Sequence, residues 1–249
     1  MDIKEKIQSG QLVTGLWVQS GSPVAAEIFA EAGADFVALD MEHSDANEAG
    51  FTAFARALGG KAVAFARVRE NDTLAIRRVL DMGAQGIIVP LVNSAAQAAQ
   101  AVAATCYPPD GVRGYAFCRA NQWGLNFDEY RTGEGSRIAV IVMVESVAAV
   151  DAIDEILQVP GLDGILIGPY DLSGSYGVPG QLQHPDVLAG MEKVVAACKV
   201  HKKAAGLHVV TPTAESVQNA LQQGYTFLPM GMDTVYMRDG AQATMKLFK

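Results

Sequence analysis

The chain has 249 residues, half of them hydrophobic, and a formal net charge of −8 at pH 7. This acidic balance argues against nonspecific nucleic-acid binding, which depends on clustered Lys and Arg, and no apolar run approaches the roughly 20 residues that span a bilayer. The first residues lack the apolar core of a signal peptide, and the cysteines show no metal-ligand spacing. We therefore expect a cytoplasmic protein that has no membrane or nucleic-acid partner and acts on a small molecule.

Compact apolar or β-branched segments recur along the chain and alternate with helical patterns. Because these segments are apolar throughout, they are typical of parallel strands that are covered on both faces. Eight such strands predict an α/β fold, a single (β/α)8 TIM barrel formed by one domain over residues 1–249. The predicted strands are Val13 to Val18, Asp35 to Asp40, Ala62 to Val68, Gly86 to Pro90, Ile138 to Val144, Gly164 to Gly168, Ala205 to Val209, and Tyr225 to Met230.

Helix start and stop signals separate several of these strands. Ser or Thr before Pro, or an Asp, is typical of a first turn, and a following glycine can end the helix in the left-handed conformation. The clearest pairs are Ser22-Pro23 with Gly33, Asp72 with Gly83, and Thr211-Pro212 with Gly224. A doubly wound sheet has the same alternation, but no G-x-G-x-x-G or G-x-x-x-x-G-K-[ST] follows a predicted strand, so the barrel is the favoured architecture.

Two carboxylates follow the C-terminal ends of predicted strands, which is where barrel enzymes have their active sites. Glu145 follows the strand that ends at Val144, and Asp171 follows the strand that ends at Gly168. Carboxylate oxygens suit a divalent cation such as Mg²⁺ or Mn²⁺. The alternative is that Glu145 caps the next helix and Asp171 holds a turn.

The lysines bear on the kind of carbon–carbon chemistry that such a site could perform. A Schiff-base enzyme needs a desolvated lysine amine in its pocket, and no lysine lies at the C-terminal end of a predicted strand. Carbanion chemistry would therefore depend on a metal ion held by the two carboxylates.

Other polar residues accompany them. Arg67 ends the third strand, where a buried cation needs an anion, either a substrate oxygen or a structural carboxylate. His43 follows the second strand and can exchange protons near neutral pH, with an exposed loop histidine as the alternative. Asp81 lies in the last turn of a helix, where the macrodipole disfavours an acid, so we expect either a tertiary partner or plain solvation. For His208 and His184 we expect structural or rim roles.

Two loops and one strand residue are further candidates. The turn from Gly168 to Ser173 directly follows a strand, so its backbone N–H groups could bind an anion such as a carboxylate. Arg119 and Trp123, in the long stretch after Gly114, are candidates for the pocket rim, with a plain surface loop as the alternative. We also predict that Trp17, in the first strand, contacts the substrate.

Six motifs, in this order, resemble those of the class II pyruvate aldolases of the hydroxy-oxo-heptanedioate aldolase type, which include sugar-acid aldolases. The resemblance covers nearly the whole chain. The matching segments are Asp40-Met41-Glu42-His43 (D-x-E-H), Ala66-Arg67 (a strand-end arginine), Leu80-Asp81-Met82-Gly83-Ala84-Gln85 (L-D-x-G-A-Q), Tyr107-Pro108-Pro109-Asp110-Gly111-Val112-Arg113-Gly114 (Y-P-P-x-G-x-R-G), Val144-Glu145-Ser146 (V-E-[ST]), and Ile167-Gly168-Pro169-Tyr170-Asp171-Leu172-Ser173 (I-G-P-x-D-L-S).

This resemblance implies a role for each site residue. Glu145 and Asp171 would bind Mg²⁺, Mn²⁺ or Co²⁺ together with the keto acid. Arg67 would stabilise the enolate oxygen at C2 of the pyruvyl group, and His43, oriented by Asp81, would move the proton of the hydroxyl next to the breaking bond. The substrate contacts expected in total are Arg67, Gly168, Pro169, Tyr170 and Asp171 for the pyruvyl group, Arg119 for the aldehyde portion, and Trp17.

The implied activity is reversible cleavage of a hydroxy-oxo acid into pyruvate, or hydroxypyruvate, and an aldehyde. Met41, Val68 and Met143 depart from the family pattern, so the resemblance does not identify the natural aldehyde. It also implies a homo-oligomer, a hexamer or trimer, in which the C-terminal helix is exchanged with a neighbour. Two alternatives stay open: an acyl-CoA lyase on a related barrel, and a non-catalytic barrel that binds a keto acid.

Overall fold

A closed eight-stranded barrel forms the centre of the computed structural model, which describes residues 2–133, 135 and 137–248. All strands are parallel, each pairs with its neighbours in sequence, and β8 closes the barrel against β1. The predicted TIM barrel is confirmed, with every strand in its predicted place. The strands are β1 (Val13–Val18), β2 (Phe36–Asp40), β3 (Val63–Arg67), β4 (Gly86–Val89), β5 (Ala139–Val144), β6 (Gly164–Ile167), β7 (Ala204–Leu207) and β8 (Phe227–Met230).

Helices connect the strands, and most of them lie on the outside of the barrel. Two predicted starts are confirmed, since the side chains of Ser22 and Asp72 cap their helices. The predicted start at Thr211-Pro212 is wrong, because Thr213 supplies the cap and accepts a hydrogen bond from the Ser216 backbone N–H at 3.1 Å. The helices are α1 (Ile3–Gln8), α2 (Pro23–Glu31), α3 (Glu48–Ala57), α4 (Thr73–Asp81), α5 (Ala95–Thr105), α6 (Phe127–Thr132), α7 (Val147–Asp151), α8 (Ile153–Leu157), α9 (Pro169–Ser175), α10 (Pro185–His201), α11 (Ala214–Gln223) and α12 (Asp233–Lys246).

Phenylalanine rings fill the interior of the barrel. Phe36 stacks on Phe227 with ring centroids 4.7 Å apart, and Phe65 packs against Phe36 with centroids 4.6 Å apart. Glycines make room for these rings, because a Cβ atom on Gly15 would lie 2.2 Å from the Phe36 ring and one on Gly86 would lie 2.2 Å from the Phe65 ring. The interior is therefore a packed core, and polar chemistry is confined to the ends of the barrel.

The N-terminal end of the barrel, where the strands begin, is closed by α1. Asp163 is buried there and accepts hydrogen bonds from Lys4 Nζ at 2.6 Å, the Val140 N–H at 2.8 Å and Gln8 Nε2 at 2.9 Å. Because three donors surround this carboxylate, its burial is compensated. Contacts between α1 and Asp163 therefore close the N-terminal end of the barrel.

The long segment between α5 and β5 also lies at the N-terminal end. Its anchor is Arg113, a fully buried arginine whose guanidinium lies over the rings of Tyr107, at 4.7 Å, and Tyr130, at 5.5 Å. Arg113 Nη2 donates to Asp81 Oδ1 at 3.1 Å and to the Tyr130 hydroxyl at 3.2 Å. The Arg113 guanidinium thus fixes the segment between α5 and β5 against the C-terminal end of α4.

The C-terminal helix α12 extends away from the barrel. Asp233 at its first turn is buried, whereas residues 236–248 are all exposed. Tyr236 makes an edge contact with Phe29 of α2, with ring centroids 6.0 Å apart. Among the residues that the structure describes, no helix combines the length and apolarity needed to cross a membrane.

Candidate active site

Strand periodicity determines which side chains occupy the C-terminal end of the barrel, where the strands finish. Side chains alternate between the two faces of a strand, so residues two apart share a face. Gly15 makes room for the Phe36 ring inside the barrel. Trp17, two residues further along β1, packs in the inner core cluster that contains Phe36. Ala38, Phe65 and Met143 belong to the same cluster. By the same alternation, the residues two positions further along, Asp40, Arg67 and Glu145, also point into the barrel. Three polar side chains therefore face one space above the phenylalanine core.

Arg67 is held by a carboxylate from the neighbouring strand. Its Nε donates to Asp40 Oδ1 at 3.0 Å and its Nη2 donates to Asp40 Oδ2 at 2.6 Å, while Nη1 lies 2.9 Å from Glu42 Oε2. Burial by itself would raise the pKa of Asp40, but the hydrogen bond and charge of Arg67 outweigh it and hold this pKa below its usual value. The arginine is charged and fixed in orientation.

Asp40 belongs to the candidate site by its contacts, although the sequence did not predict it as a site residue. It is fully buried, and besides Arg67 it accepts hydrogen bonds from the backbone N–H groups of Glu42 and His43, each at 3.1 Å. The sequence signal was the position of Asp40 at the end of a predicted strand, whereas its place beside Arg67 comes from the parallel register of β2 and β3. It orients both the arginine and the loop that carries His43.

The two predicted metal ligands lie at neighbouring strand ends. Glu145 is 5% exposed, and its Oε1 accepts a hydrogen bond from the Leu91 N–H at 2.6 Å. Burial raises its pKa, and the charges of Glu42 and Asp171 raise it further. The alternative that Glu145 caps the next helix is wrong, because Ser146 fills that position and accepts from the Ala149 N–H at 3.1 Å.

The carboxylates of Glu145 and Asp171 supply the oxygen donors that a divalent cation prefers. The charges of Glu42 and Asp171 raise the pKa of Glu145, and the charge of Arg67 lowers it. Within residues 2–133, 135 and 137–248, no three His, Cys, Asp or Glu side chains are grouped as ligands of one ion. An ion held by Glu145 and Asp171 would therefore need further oxygen atoms from substrate and water, as Mg²⁺ commonly does.

Gly168 shapes the space beside Glu145. A Cβ atom at this position would lie 2.8 Å from Glu145 Oε2, so only glycine leaves the carboxylate where it is. The next residue, Pro169, begins α9, and Asp171 lies in the first turn of that helix. Tyr170 is exposed there, and its carbonyl accepts a hydrogen bond from Ser173 Oγ at 2.6 Å. The turn thus presents Asp171 and its neighbouring backbone at the rim of the pocket.

His43 is exposed at this rim. Its side chain is 63% exposed, and Nε2 lies 3.8 Å from Glu42 Oε2. This position is open enough for an imidazole to meet a substrate hydroxyl, directly or through water.

Asp81 and Arg119 lie at the opposite end of the barrel. Because α4 runs antiparallel to the strands, its last residue, Asp81, is close to the start of β4, where it pairs with Arg113. Arg119 Nη1 donates to the Met82 carbonyl at 2.8 Å at the same end. One copy of the chain therefore does not bring Asp81 or Arg119 to His43. The sequence signal was that Asp81 and Arg119 lie at the end of a helix or after it and before the next strand, whereas the other predicted site residues lie in a strand or in the loop or first helical turn that follows one.

Trp17 and His208 complete the pocket wall. Trp17 Nε1 donates to Asp40 Oδ2 at 3.4 Å, and the Arg67 guanidinium lies 5.1 Å from the centroid of its ring. His208 stacks on Trp17 with ring centroids 4.6 Å apart and 27° between the planes. The predicted substrate contact Trp17 thus lies between the arginine site and a histidine for which a structural or rim role was expected.

An arginine fixed among carboxylates at the C-terminal end of a parallel barrel has the location and the residue types of an enzyme active site. The family model described as HpcH/HpaI aldolase/citrate lyase matches residues 13–239. The chain belongs to this family, and it is an enzyme, a carbon–carbon lyase.

Particular relatives agree with this assignment. The 2-keto-3-deoxy-L-rhamnonate aldolase of Escherichia coli (strain K12) is 36% identical over 249 residues, which cover 99% of this chain and 92% of the relative. A solved HpcH/HpaI aldolase/citrate lyase family protein from Burkholderia cenocepacia J2315 superposes with a TM-score of 0.93 at 31% identity, covering 99% of each chain. An HpcH/HpaI aldolase from Desulfitobacterium hafniense DCB-2 superposes with a TM-score of 0.91 at 28% identity, covering 100% of this chain and 97% of the other.

Proposed function

We propose that the protein is a divalent-metal-dependent aldolase that reversibly cleaves a 4-hydroxy-2-oxo acid into pyruvate, or hydroxypyruvate, and an aldehyde. The observation that carries this proposal is the Arg67–Asp40 pair, which fixes a guanidinium close enough to Glu145 to lower the pKa of that carboxyl. The relative named as a 2-keto-3-deoxy-L-rhamnonate aldolase supports a 2-keto-3-deoxy sugar acid as the class of substrate.

Glu145 and Asp171 would hold Mg²⁺, Mn²⁺ or Co²⁺. Such an ion supplies positive charge close to the keto acid, which favours the enolate over the ketone. Glu145 is held in place by the Leu91 N–H and by the space that Gly168 leaves. The backbone around Tyr170 and Asp171, following Gly168 and Pro169, would receive the pyruvate carboxylate.

Arg67 would bind the C2 oxygen of the pyruvyl group. A guanidinium has five N–H donors, and in Arg67 three of them face Asp40 and Glu42. The remaining donors on Nη1 and Nη2 are available for an oxygen in the pocket. Because Asp40 fixes the Arg67 guanidinium before substrate binds, little reorganisation is needed when negative charge develops on the C2 oxygen.

His43 would move the proton of the C4 hydroxyl when the C3–C4 bond breaks. An exposed imidazole at the rim can take this proton directly or through one water molecule and return it in the reverse reaction. Replacement of His43 by Ala should abolish turnover while pyruvate binding is retained. A barrel that only binds a keto acid would show no loss of function in the same variant.

We propose further that the active form is a homo-oligomer, a hexamer or trimer. Helix α12 is exposed along its length after Tyr236, which suits packing on a neighbouring copy. A neighbour could then bring its own Asp81 and Arg119 to His43 and to the aldehyde portion of the substrate. In this arrangement, mixed oligomers of His43→Ala and Asp81→Asn subunits should recover activity that neither variant has alone.

The main experiment is a cleavage assay on 4-hydroxy-2-oxo acids with and without a chelator. Pyruvate release is coupled to lactate dehydrogenase, which reports turnover directly. We expect cleavage that EDTA abolishes and added Mn²⁺ or Mg²⁺ restores, together with decarboxylation of oxaloacetate, which passes through the same enolate. Undiminished cleavage by metal-free protein would contradict the proposal.

A further inference from the structure

Leu91, two residues after β4, has an unusual backbone conformation at the C-terminal end of the barrel. Its φ is +56°, in the left-handed region that leucine seldom adopts. The leucine side chain is 60% exposed, so its own packing does not account for this conformation. A conformation of this kind persists only where the surrounding contacts impose it.

Both backbone polar groups of Leu91 make hydrogen bonds. The N–H donates to Glu145 Oε1 at 2.6 Å, and the carbonyl accepts from Asn93 Nδ2 at 3.3 Å. The first of these bonds turns Oε1 of Glu145 towards Leu91. The other oxygen, Oε2, lies beside Gly168, which precedes the helix that carries Asp171. The backbone of Leu91 therefore determines how the two oxygens of Glu145 are oriented.

Asn93 links Leu91 to Ser146, the residue after Glu145. Its Oδ1 accepts from Ser146 Oγ at 2.5 Å, and its backbone N–H donates to Gln97 Oε1 at 2.7 Å. Ser146 Oγ also accepts a backbone N–H as the cap of α7, so its one proton is available for Asn93. Because the Leu91 carbonyl can only accept, one orientation of the Asn93 amide satisfies both neighbours.

We propose that Asn93 is a positioning residue, which fixes the left-handed conformation of Leu91 and thereby the orientation of the Glu145 carboxylate towards a divalent cation. This inference rests on the metal-dependent function proposed above and adds to it a residue that acts through Glu145. Without the Asn93 amide, Leu91 relaxes towards negative φ, which leucine favours, and its N–H turns away from Glu145. The carboxylate must then be ordered when the ion binds, which weakens binding.

The test measures Mn²⁺ binding to the metal-free protein by isothermal titration calorimetry, without substrate. Asn93→Leu has a similar size but no hydrogen-bonding side chain, and we expect it to bind Mn²⁺ about tenfold more weakly than wild type. Asn71→Leu is the matched control. Asn71 lies in the loop between β3 and α4, and its Nδ2 donates to the Gln97 carbonyl at 2.9 Å. This control should bind Mn²⁺ with wild-type affinity.

A second substitution separates positioning from a general loss of structure. Glycine adopts positive φ readily, so Leu91→Gly in the Asn93→Leu background should recover part of the lost Mn²⁺ affinity, about threefold. In cleavage assays, Asn93→Leu should need about tenfold more Mn²⁺ for half-maximal rate, with kcat close to that of wild type once Mn²⁺ is saturating. A purely structural role would lower stability in urea and leave the Mn²⁺ dependence unchanged.

Each outcome supports or overturns the inference. Equal Mn²⁺ affinity of wild type and Asn93→Leu overturns it, as does a double variant that binds Mn²⁺ no better than Asn93→Leu alone. If Asn93→Leu does not fold, Asn93→Ala, which also lacks the amide, replaces it. Wild-type protein that binds no Mn²⁺ contradicts the proposed function and this inference together, whereas Mn²⁺ binding that does not depend on Asn93 contradicts this inference alone.

Discussion

The two ends of the barrel each contain an arginine that pairs with an aspartate and packs on aromatic rings, yet the two pairs are built differently. Arg67 and Asp40 lie on adjacent strands in register, and hydrogen bonds from Nε and Nη2 of Arg67 reach both oxygens of the carboxylate. Arg113 comes from a loop, is fully buried, and leaves Nε and Nη1 without a partner in the described part of the chain. The Asp81 side chain that it meets is 21% exposed.

This difference distinguishes an arginine that a strand holds in a fixed orientation from one that a loop buries. Adjacent strands hold side chains in a fixed relation, so a guanidinium built on β3 can remain oriented with donors left over for a ligand. A loop residue has no such register. The Arg113 guanidinium is held instead by its contacts with the rings of Tyr107 and Tyr130. We interpret the Arg67–Asp40 pair as part of the candidate active site. We interpret the Arg113–Asp81 pair as a structural contact that fixes the segment between α5 and β5. Four predictions test this comparison.

The largest effect is expected for Glu145→Gln. Glutamine has the same size and can still accept the Leu91 N–H, but it lacks the charge that a divalent cation requires. We expect kcat/KM for cleavage to fall about 10³-fold, because several kcal/mol of charge stabilisation are lost. Steady-state assays over a Mn²⁺ titration measure this. Asp163→Asn, which removes a buried carboxylate at the other end of the barrel, is the control and should leave kcat unchanged while lowering stability.

The next effect concerns stability and compares Arg67→Met with Arg113→Met. Removal of Arg67 leaves the buried Asp40 carboxylate without its cation, which should lower the free energy of unfolding by about 3 kcal/mol. Removal of Arg113 leaves a partly exposed carboxylate that water can solvate, so we expect a loss of about 1–2 kcal/mol. Urea denaturation monitored by circular dichroism gives both values. Equal losses would mean that the two pairs do not differ as described.

A smaller effect depends on pH and on His208. Burial lowers its pKa from 6.5 to about 4, so between these values the unfolded chain binds a proton that the folded chain does not. Stability therefore falls as the pH decreases through this window, by about 2 kcal/mol between pH 7 and pH 5 from this residue. His208→Phe should lack this component, since all other titrating groups are unchanged. Denaturation of both proteins at the two pH values isolates the difference, and parallel pH dependence would contradict it.

The smallest effect is expected for Gly168→Ala. Its φ of −101° is accessible to alanine, so the new Cβ acts only by pushing on the Glu145 carboxylate. We expect metal affinity to fall about tenfold, as is typical when a neighbour of a metal ligand is disturbed. Gly174→Ala is the matched control, because nothing lies within 4 Å of a Cβ at that position. Isothermal titration with Mn²⁺ measures both, and equal affinities would show that Gly168 does not shape the site.

Much of this architecture could be predicted from the sequence because the relevant signals are local. A strand covered on both faces must be apolar throughout, so eight such runs separated by helix signals predicted the barrel and its strand ends. Glu145 and Asp171 were predicted as site residues for the same reason, since a carboxylate directly after a buried strand or in the first helical turn beyond it is conspicuous. The inward orientation of Asp40 and His208 also follows from the alternation of side chains along β2 and β7.

Only the tertiary structure decided which of these residues meet. Asp81 belongs to one of the matching motifs, but the direction of α4 carries it to the far end of the barrel, where Arg113 reaches it from a distant loop. The partner of Arg67 and the stacking of His208 on Trp17 depend on strand register and on the space left by the Phe36 and Phe65 core. Strand identity follows from the burial pattern of a short segment, whereas contacts between segments depend on distances that exist only once the barrel has closed.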